Sequence, residues 1–159
     1  MTATPIGPFL EPVRKTVEVG LAPPQAFAFF TERFGEWWPL HDPYSVFGDR
    51  AQSCGMELSE GGEIFETSVS GERALWGRVV AWEPPARLEF SWFPGRDESV
   101  RQTVEITFVA SPAGTLVHLE HRDWQRLGAA ADATRLAYEG GWAVVLPAFA
   151  TSANGRRPV

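Results

Sequence analysis

Few side chains in this chain carry the chemistry of a catalyst, and they are scattered. His41 stands beside Asp42, where the carboxylate could orient the imidazole as a general base; equally, the two could do no more than satisfy a loop. His121 ends the run TLVHLEH in phase with Val117 and Leu119, so its ring points to the apolar side of that segment. A neutral imidazole there could orient or deprotonate a ligand, or it could be a strand-end histidine bonded to backbone near Asp123. Tyr138 is a second candidate acid or base, and no established catalytic motif surrounds either residue. Glu66 lies in the phase opposite to Phe65 and reads as an outward-facing carboxylate. Arg78 could clamp a ligand carboxylate, although a solvated strand arginine is the commoner arrangement. His41, His118 and His121 lack zinc-ligand spacing, and period two puts His118 and His121 on opposite faces, so no metal is expected. Cys54, in a Ser-Cys-Gly loop, has nothing local to lower its pKa. There is no phosphate loop, nucleophile elbow or dinucleotide fingerprint, and no cofactor is expected.

Composition bounds the classes that remain. With 159 residues, 44% of them hydrophobic, the chain is long enough for one domain with a real core. A formal net charge of −6 argues against nonspecific binding to nucleic acid or anionic membrane. No apolar run reaches membrane-spanning length and no signal pattern opens the chain, so no membrane insertion is expected. The single cysteine excludes an intramolecular disulfide and fits a reducing cytoplasm. The seven tryptophans are the unusual number, and several are expected to line something larger than a dry core.

The elements that must position these residues are legible from periodicity. Ala129–Thr151 is the longest run without a strand pattern, and Tyr138, Trp142, Val145 and Phe149 recur on one helical face. Gly140-Gly141 interrupts it at about 1 kcal/mol per glycine relative to alanine. The glycines permit close approach by a sheet or ligand, or they only relieve crowding beside Trp142. Pro147 is expected to bend the last turn. Met1–Pro12 reads as a loose arm, Val13–Val19 as an edge strand, and Ala26–Phe34 as a short helix entered through Pro23 and Pro24. Trp37 and Trp38 open an aromatic, proline-stiffened loop, since both are hard to bury in so short an element. Strands follow at Met56–Ser59, Glu63–Ser70, Arg73–Trp82, Arg87–Phe93, Val100–Ala110 and Thr115–His121. Their short connections make an antiparallel meander with one aromatic face, which the long helix must cover.

Strand, short helices, six strands and long helix make an α+β chain that resembles the SRPBCC superfamily, the START and birch-pollen-allergen-like helix-grip fold. Within it the chain is similar to the branch of the activator of heat-shock chaperone ATPase. The resemblance rests on PPQAFAFFTERFGEWWP, GGEIFE, WGRVVAWEPPARLEFSW, GTLVHLEHRDW and GGWAVVLPAFA, spanning roughly Val13 to Ala150. It implies a seven-stranded curved antiparallel sheet wrapped around the C-terminal helix, two short helices after the first strand, and an apolar cavity between sheet and helix. The domain is expected over residues 13–152, with a loose tail over 153–159. Inward alternation nominates Phe65, Phe90, Trp92, Val104, Ile106, Phe108, Val117, Leu119 and His121 from the sheet. Tyr138, Trp142, Val145 and Phe149 join them from the helix, with Trp37 and Trp38 as a lid. The face of Trp76 and Trp82 stays open, because Arg78 shares their phase and one bulge would reverse it.

Three functions from different classes follow. The first is enclosure of a hydrophobic or aromatic small molecule. The second is an enzyme of cyclase or hydratase type using His121 or Tyr138. The third, from the branch name alone, is a chaperone-associated role; the resemblance ties that activity to a further domain. An exposed edge at Val13–Val19 would also allow a homodimer.

Overall fold

Period-two alternation from residue 63 onward becomes a meander, and the first strand returns to close it. The computed structural model describes residues 9–41 and 43–155. Seven strands form one antiparallel sheet in the order β1-β7-β6-β5-β4-β3-β2. They are β1 Val13–Val19, β2 Ala51–Met56, β3 Glu63–Ser68, β4 Arg73–Glu83, β5 Arg87–Trp92, β6 Gln102–Ser111 and β7 Gly114–Arg122. Two short helices, α1 Pro23–Glu32 and α2 Phe34–Trp37, follow β1. The long helix α3, Ala131–Asn154, follows a 3-10 turn over Trp124–Ala130. This is the α+β helix-grip arrangement, with β1 at one edge as expected.

The alternation of β5, β6 and β7 sorts the two faces. Leu88, Phe90, Val104, Ile106, Phe108, Val117 and Leu119 are buried on the concave side. Arg87 and Arg122 form an ion-pair network with Glu89, Glu105 and Glu120 on the other. Pro23 and Pro24 sit in the first turn of α1, where their missing N–H groups cost nothing. Phe27 then meets Trp82 and Phe108 edge-on, with ring centroids 5.1 and 5.2 Å apart. On α3, Trp142, Val145, Leu146 and Phe149 are buried, each worth roughly 1.5–3 kcal/mol by area. Phe149 meets Phe30 and Trp37 at 5.1 and 5.2 Å. The polar side of α3 ties to β1 through Lys15–Glu139 at 2.8 Å, and to the segment before β1 through Arg135 donating to the Glu11 carbonyl at 2.6 Å.

Several expectations need correction. Residues 1–8 of the N-terminal arm lie outside the described residues, as do residues 156–159. α3 runs through Pro147 and beyond residue 152, because Ala153 is buried and Asn154 Oδ1 accepts the Gly20 N–H at 2.7 Å. The second strand is Ala51–Met56 rather than Met56–Ser59, so Cys54 is a buried strand residue and not a loop thiol. The phase of β3 is the reverse of the expected one. Ile64, Glu66 and Ser68 are buried, whereas Phe65 is on the other face with the Arg73 guanidinium 3.7 Å over its ring. Trp37 and Trp38 are both buried, because α2 lies against β2 with Gly35 at the contact: a Cβ there would sit 2.3 Å from the Cys54 carbonyl oxygen. β4 carries two register shifts, which leave Trp76 and Val80 as extra residues against β3 and β5. They let Trp76, Val79 and Trp82 all pack inward while Arg78 pairs outside with Glu63 and Glu98.

Between those shifts, Gly77 allows β5 to pass. A Cβ at Gly77 would lie 1.8 Å from the Ser91 carbonyl oxygen, which is backbone and cannot step aside. Gly77→Ala is therefore expected to cost about 1–3 kcal/mol, or more. A urea denaturation midpoint equal to that of the parent protein would show that β4 and β5 do not approach this closely.

Candidate functional site

The register shifts in β4 turn Trp76 toward Trp92 of β5, and the burial of α2 brings Trp38 onto both. The buried face of α3 adds Trp142. Ring centroids run 5.0 Å from Trp38 to Trp76, 5.7 Å from Trp76 to Trp92, 5.9 Å from Trp92 to Trp142 and 6.0 Å back to Trp38. These four indoles line a cavity of about 680 Å³ between the sheet and α3. The chain from Pro43 to Val46 and the turn Pro94–Arg96 complete it, with Tyr138, Gly140 and Gly141 on the helix side.

Every indole N–H in this wall is engaged. Trp38 donates to the Tyr44 carbonyl at 2.9 Å, and Trp76 to Glu66 at 2.8 Å. Trp92 donates to the Tyr138 hydroxyl at 3.2 Å, and Trp142 to His121 Nδ1 at 2.9 Å. What the indoles leave for the cavity is carbon and π surface.

Two polar groups hold the wall from behind. Glu66 is fully buried and accepts four hydrogen bonds: from Ser45 Oγ at 2.7 Å, the Val46 N–H at 2.6 Å, the Phe47 N–H at 3.0 Å and Trp76 Nε1. It therefore pins the loop to the sheet and orients an indole. His121 is likewise fully buried. An indole N–H can only donate, so Nδ1 accepts and the proton sits on Nε2, which faces Gln102 Oε1 at 3.2 Å. Gln102 in turn donates to the Val100 carbonyl at 2.6 Å. Asp123, in left-handed backbone with φ 72°, turns the chain so that Trp124 stacks on the imidazole at 4.0 Å. Burial holds the His121 imidazole well below the usual histidine range, so it is neutral at physiological pH.

Of the residues nominated for the cavity, Trp38, Trp92, Tyr138, Trp142 and Val145 line it. Phe90, Val104, Ile106, Phe108, Val117, Leu119 and Phe149 are buried in the core behind it. Trp37 also belongs to the core, with Nε1 donating to the Phe30 carbonyl at 3.0 Å, and Phe65 faces away. His121 stands behind Trp142 with both ring nitrogens bonded, which suits a positioning residue rather than an acid or base. Asp42 lies outside the described residues, so the His41–Asp42 pair is not described either. Sequence reasoning missed Tyr44, Ser45, Arg96 and Thr134, which come from loops and a helix start with no periodicity to orient them.

Tyr138 brings a hydroxyl to the cavity wall. Burial pushes it above the usual tyrosine value, against smaller opposing effects of the Trp92 N–H and the Arg96 charge, so it stays protonated. Burial and the nearby Glu66 charge push the Cys54 thiol up to about 12, which leaves it unreactive. Among the described residues there is no cluster of potential metal ligands, and no helix is long and apolar enough to cross a membrane.

A family profile described as "Activator of Hsp90 ATPase homolog 1-like protein" matches residues 22–152. The chain belongs to this family. The fold is shared with solved structures of family-sized bacterial proteins. Protein MLL2253 from Mesorhizobium loti is 15% identical with a TM-score of 0.65, over 93% of this chain and 100% of that one. Protein NE0264 from Nitrosomonas europaea is 14% identical with a TM-score of 0.66, over 92% and 96%. A more similar sequence is the anthrahydroquino-γ-pyrone synthase Txn09, 28% identical with a TM-score of 0.62, over 90% of this chain and 97% of that one. No curated protein is a significant match.

The two supporting groups make separate predictions. The neutral state of His121 gives stability that is present above the unfolded histidine value, about pH 6.5, and is lost as pH falls toward the lower folded value. Its share of the slope is at most about 1.4 kcal/mol per pH unit. Thermal melts between about pH 7.5 and pH 5 should show this slope in the parent and a shallower one in His121→Asn, whose carbonyl can still accept from Trp142. Equal slopes would mean that His121 charges freely. Glu66→Gln leaves one loop N–H facing an amide N–H and should cost about 1–3 kcal/mol. Hydrogen exchange at Val46 and Phe47 should accelerate, and unchanged protection there would contradict the pinning role.

Proposed function

We propose that this protein binds a planar, polycyclic aromatic small molecule in the cavity between the sheet and α3. The observation that carries this reading is the wall of four indoles whose N–H groups all have acceptors within the protein. Such a surface favours flat, polarisable, apolar ligands. The volume of about 680 Å³ suits a molecule of several fused rings. Gly140 and Gly141 keep that space open: a Cβ at Gly140 would meet nothing within 4 Å, and one at Gly141 only a Tyr44 ring carbon at 4.0 Å. The name of Txn09 denotes a fused aromatic product, which supports the same ligand class.

A second reading is favoured by the same neighbour and by Tyr138. In a ring-closing enzyme acting on such a ligand, the protonated Tyr138 hydroxyl is the acid that touches substrate, with Trp92 donating to its oxygen. His121 serves this reaction only through Trp142.

Titration with anthraquinone, followed by tryptophan emission, tests the binding reading. The parent is expected to show saturable quenching. Gly141→Leu should abolish it by filling the cavity, while its melting temperature does not fall, because a helical glycine has been replaced. Undiminished quenching in Gly141→Leu would remove the ligand from this cavity.

A further inference from the structure

The cavity is not uniformly apolar: Arg96, Thr134 and Tyr138 all line its wall. Arg96 lies in the turn after β5 and lines the wall, with Nη2 donating to Thr134 Oγ1 at 3.3 Å. Thr134 and Tyr138 lie one turn apart on α3 and both line the cavity. The Arg96 charge is felt at the Tyr138 hydroxyl. Among the described residues no carboxylate pairs with Arg96, whereas Ser45, also on the wall, donates to Glu66. The described lining contains no Asp or Glu. In a chain of formal net charge −6, the one charged group among the described residues of the cavity wall is a cation. The Tyr138 oxygen accepts from Trp92, but its own proton has no acceptor among the described residues. Burial keeps that proton in place at neutral pH.

From this juxtaposition we infer that the ligand is an aromatic acid, whose anionic oxygen, a carboxylate or ionised enol or phenol, is held by Arg96 and the Tyr138 hydroxyl while its rings lie against the indoles. The inference rests on the aromatic-binding reading and adds its polarity and orientation. The guanidinium has a neutral hydroxyl but no anionic acceptor, and the Tyr138 proton has no acceptor among the described residues; one oxygen anion would take a charge-assisted hydrogen bond from each. A neutral hydrocarbon would leave the guanidinium partly desolvated with only the Thr134 hydroxyl as its partner. Arg96 also selects orientation: the anionic edge faces the Pro94–Arg96 turn, and the apolar edge faces Trp38 and Trp76.

The test compares a monocarboxylated anthraquinone with its uncharged carboxamide, using the full chain and calorimetry. The parent is expected to prefer the acid by about tenfold, as fits one charge-assisted contact at a partly exposed site. Arg96→Met should bring the ratio of the two affinities close to one, and Tyr138→Phe should reduce it partway. Arg96 is exposed and its side chain bonds to Thr134 at the surface, so the variant is expected to fold, which its melt verifies. If parent and Arg96→Met bind both probes with the same ratio, the acid inference falls and the aromatic-binding reading stands. If neither probe binds the parent, both fall together.

Discussion

A buried indole can offer its rings to a ligand only when its N–H has an acceptor elsewhere. Leaving one such donor unpaired costs about 1–3 kcal/mol, so a wall of four has to be matched by four acceptors. The acceptors come from separate places: a loop carbonyl at Tyr44, a carboxylate on β3, an imidazole on β7 and a phenol on α3. Two of these acceptors are fixed by further partners. Glu66 gathers the loop 45–47, and His121 leans on Gln102 and on the flat face of Trp124. Trp124 provides the contrast. It stands outside the wall, and its Nε1 is the buried side-chain polar atom with no partner among the described residues.

The same account explains why α3 keeps two glycines where alanine would favour the helix. Both glycines are part of the helix side of the cavity, and no neighbour crowds in to use the space their missing side chains leave. Local helix propensity is given up next to a site, which is where sequence-level rules are expected to fail for a functional reason. Elsewhere in α3 the ordinary rules hold: Phe149 fills the core and Asn154 fastens the helix end to the start of α1's approach at Gly20.

Much of the architecture was legible because alternation in β5, β6 and β7 is regular. Leu88, Phe90, Val104, Ile106, Val117 and Leu119 face inward as their spacing requires. The long helix was legible from Trp142, Val145 and Phe149. Phase failed in β3, where Phe65, Thr67 and Val69 look like the inward set but Glu66 is the buried one. The four donors that make burial of a carboxylate tolerable lie some twenty residues upstream and ten downstream, beyond any window of periodicity. Trp76 was undecidable for a similar reason: a register shift is set by pairing with β3, not by β4 alone. Arg96 carries no pattern at all, because a turn residue has no face until the fold supplies a neighbour.

The most direct measurement is heteronuclear NMR of the seven indole N–H groups while anthraquinone is added to tryptophan-labelled protein. The account predicts that the indole signals of Trp38, Trp76, Trp92 and Trp142 shift under the ligand's ring current yet remain protected from solvent exchange, because their acceptors are protein atoms. Trp37, Trp82 and Trp124 should move least. Shifts of equal size at all seven, or rapid exchange at the four, would contradict a wall of tied indoles facing the ligand.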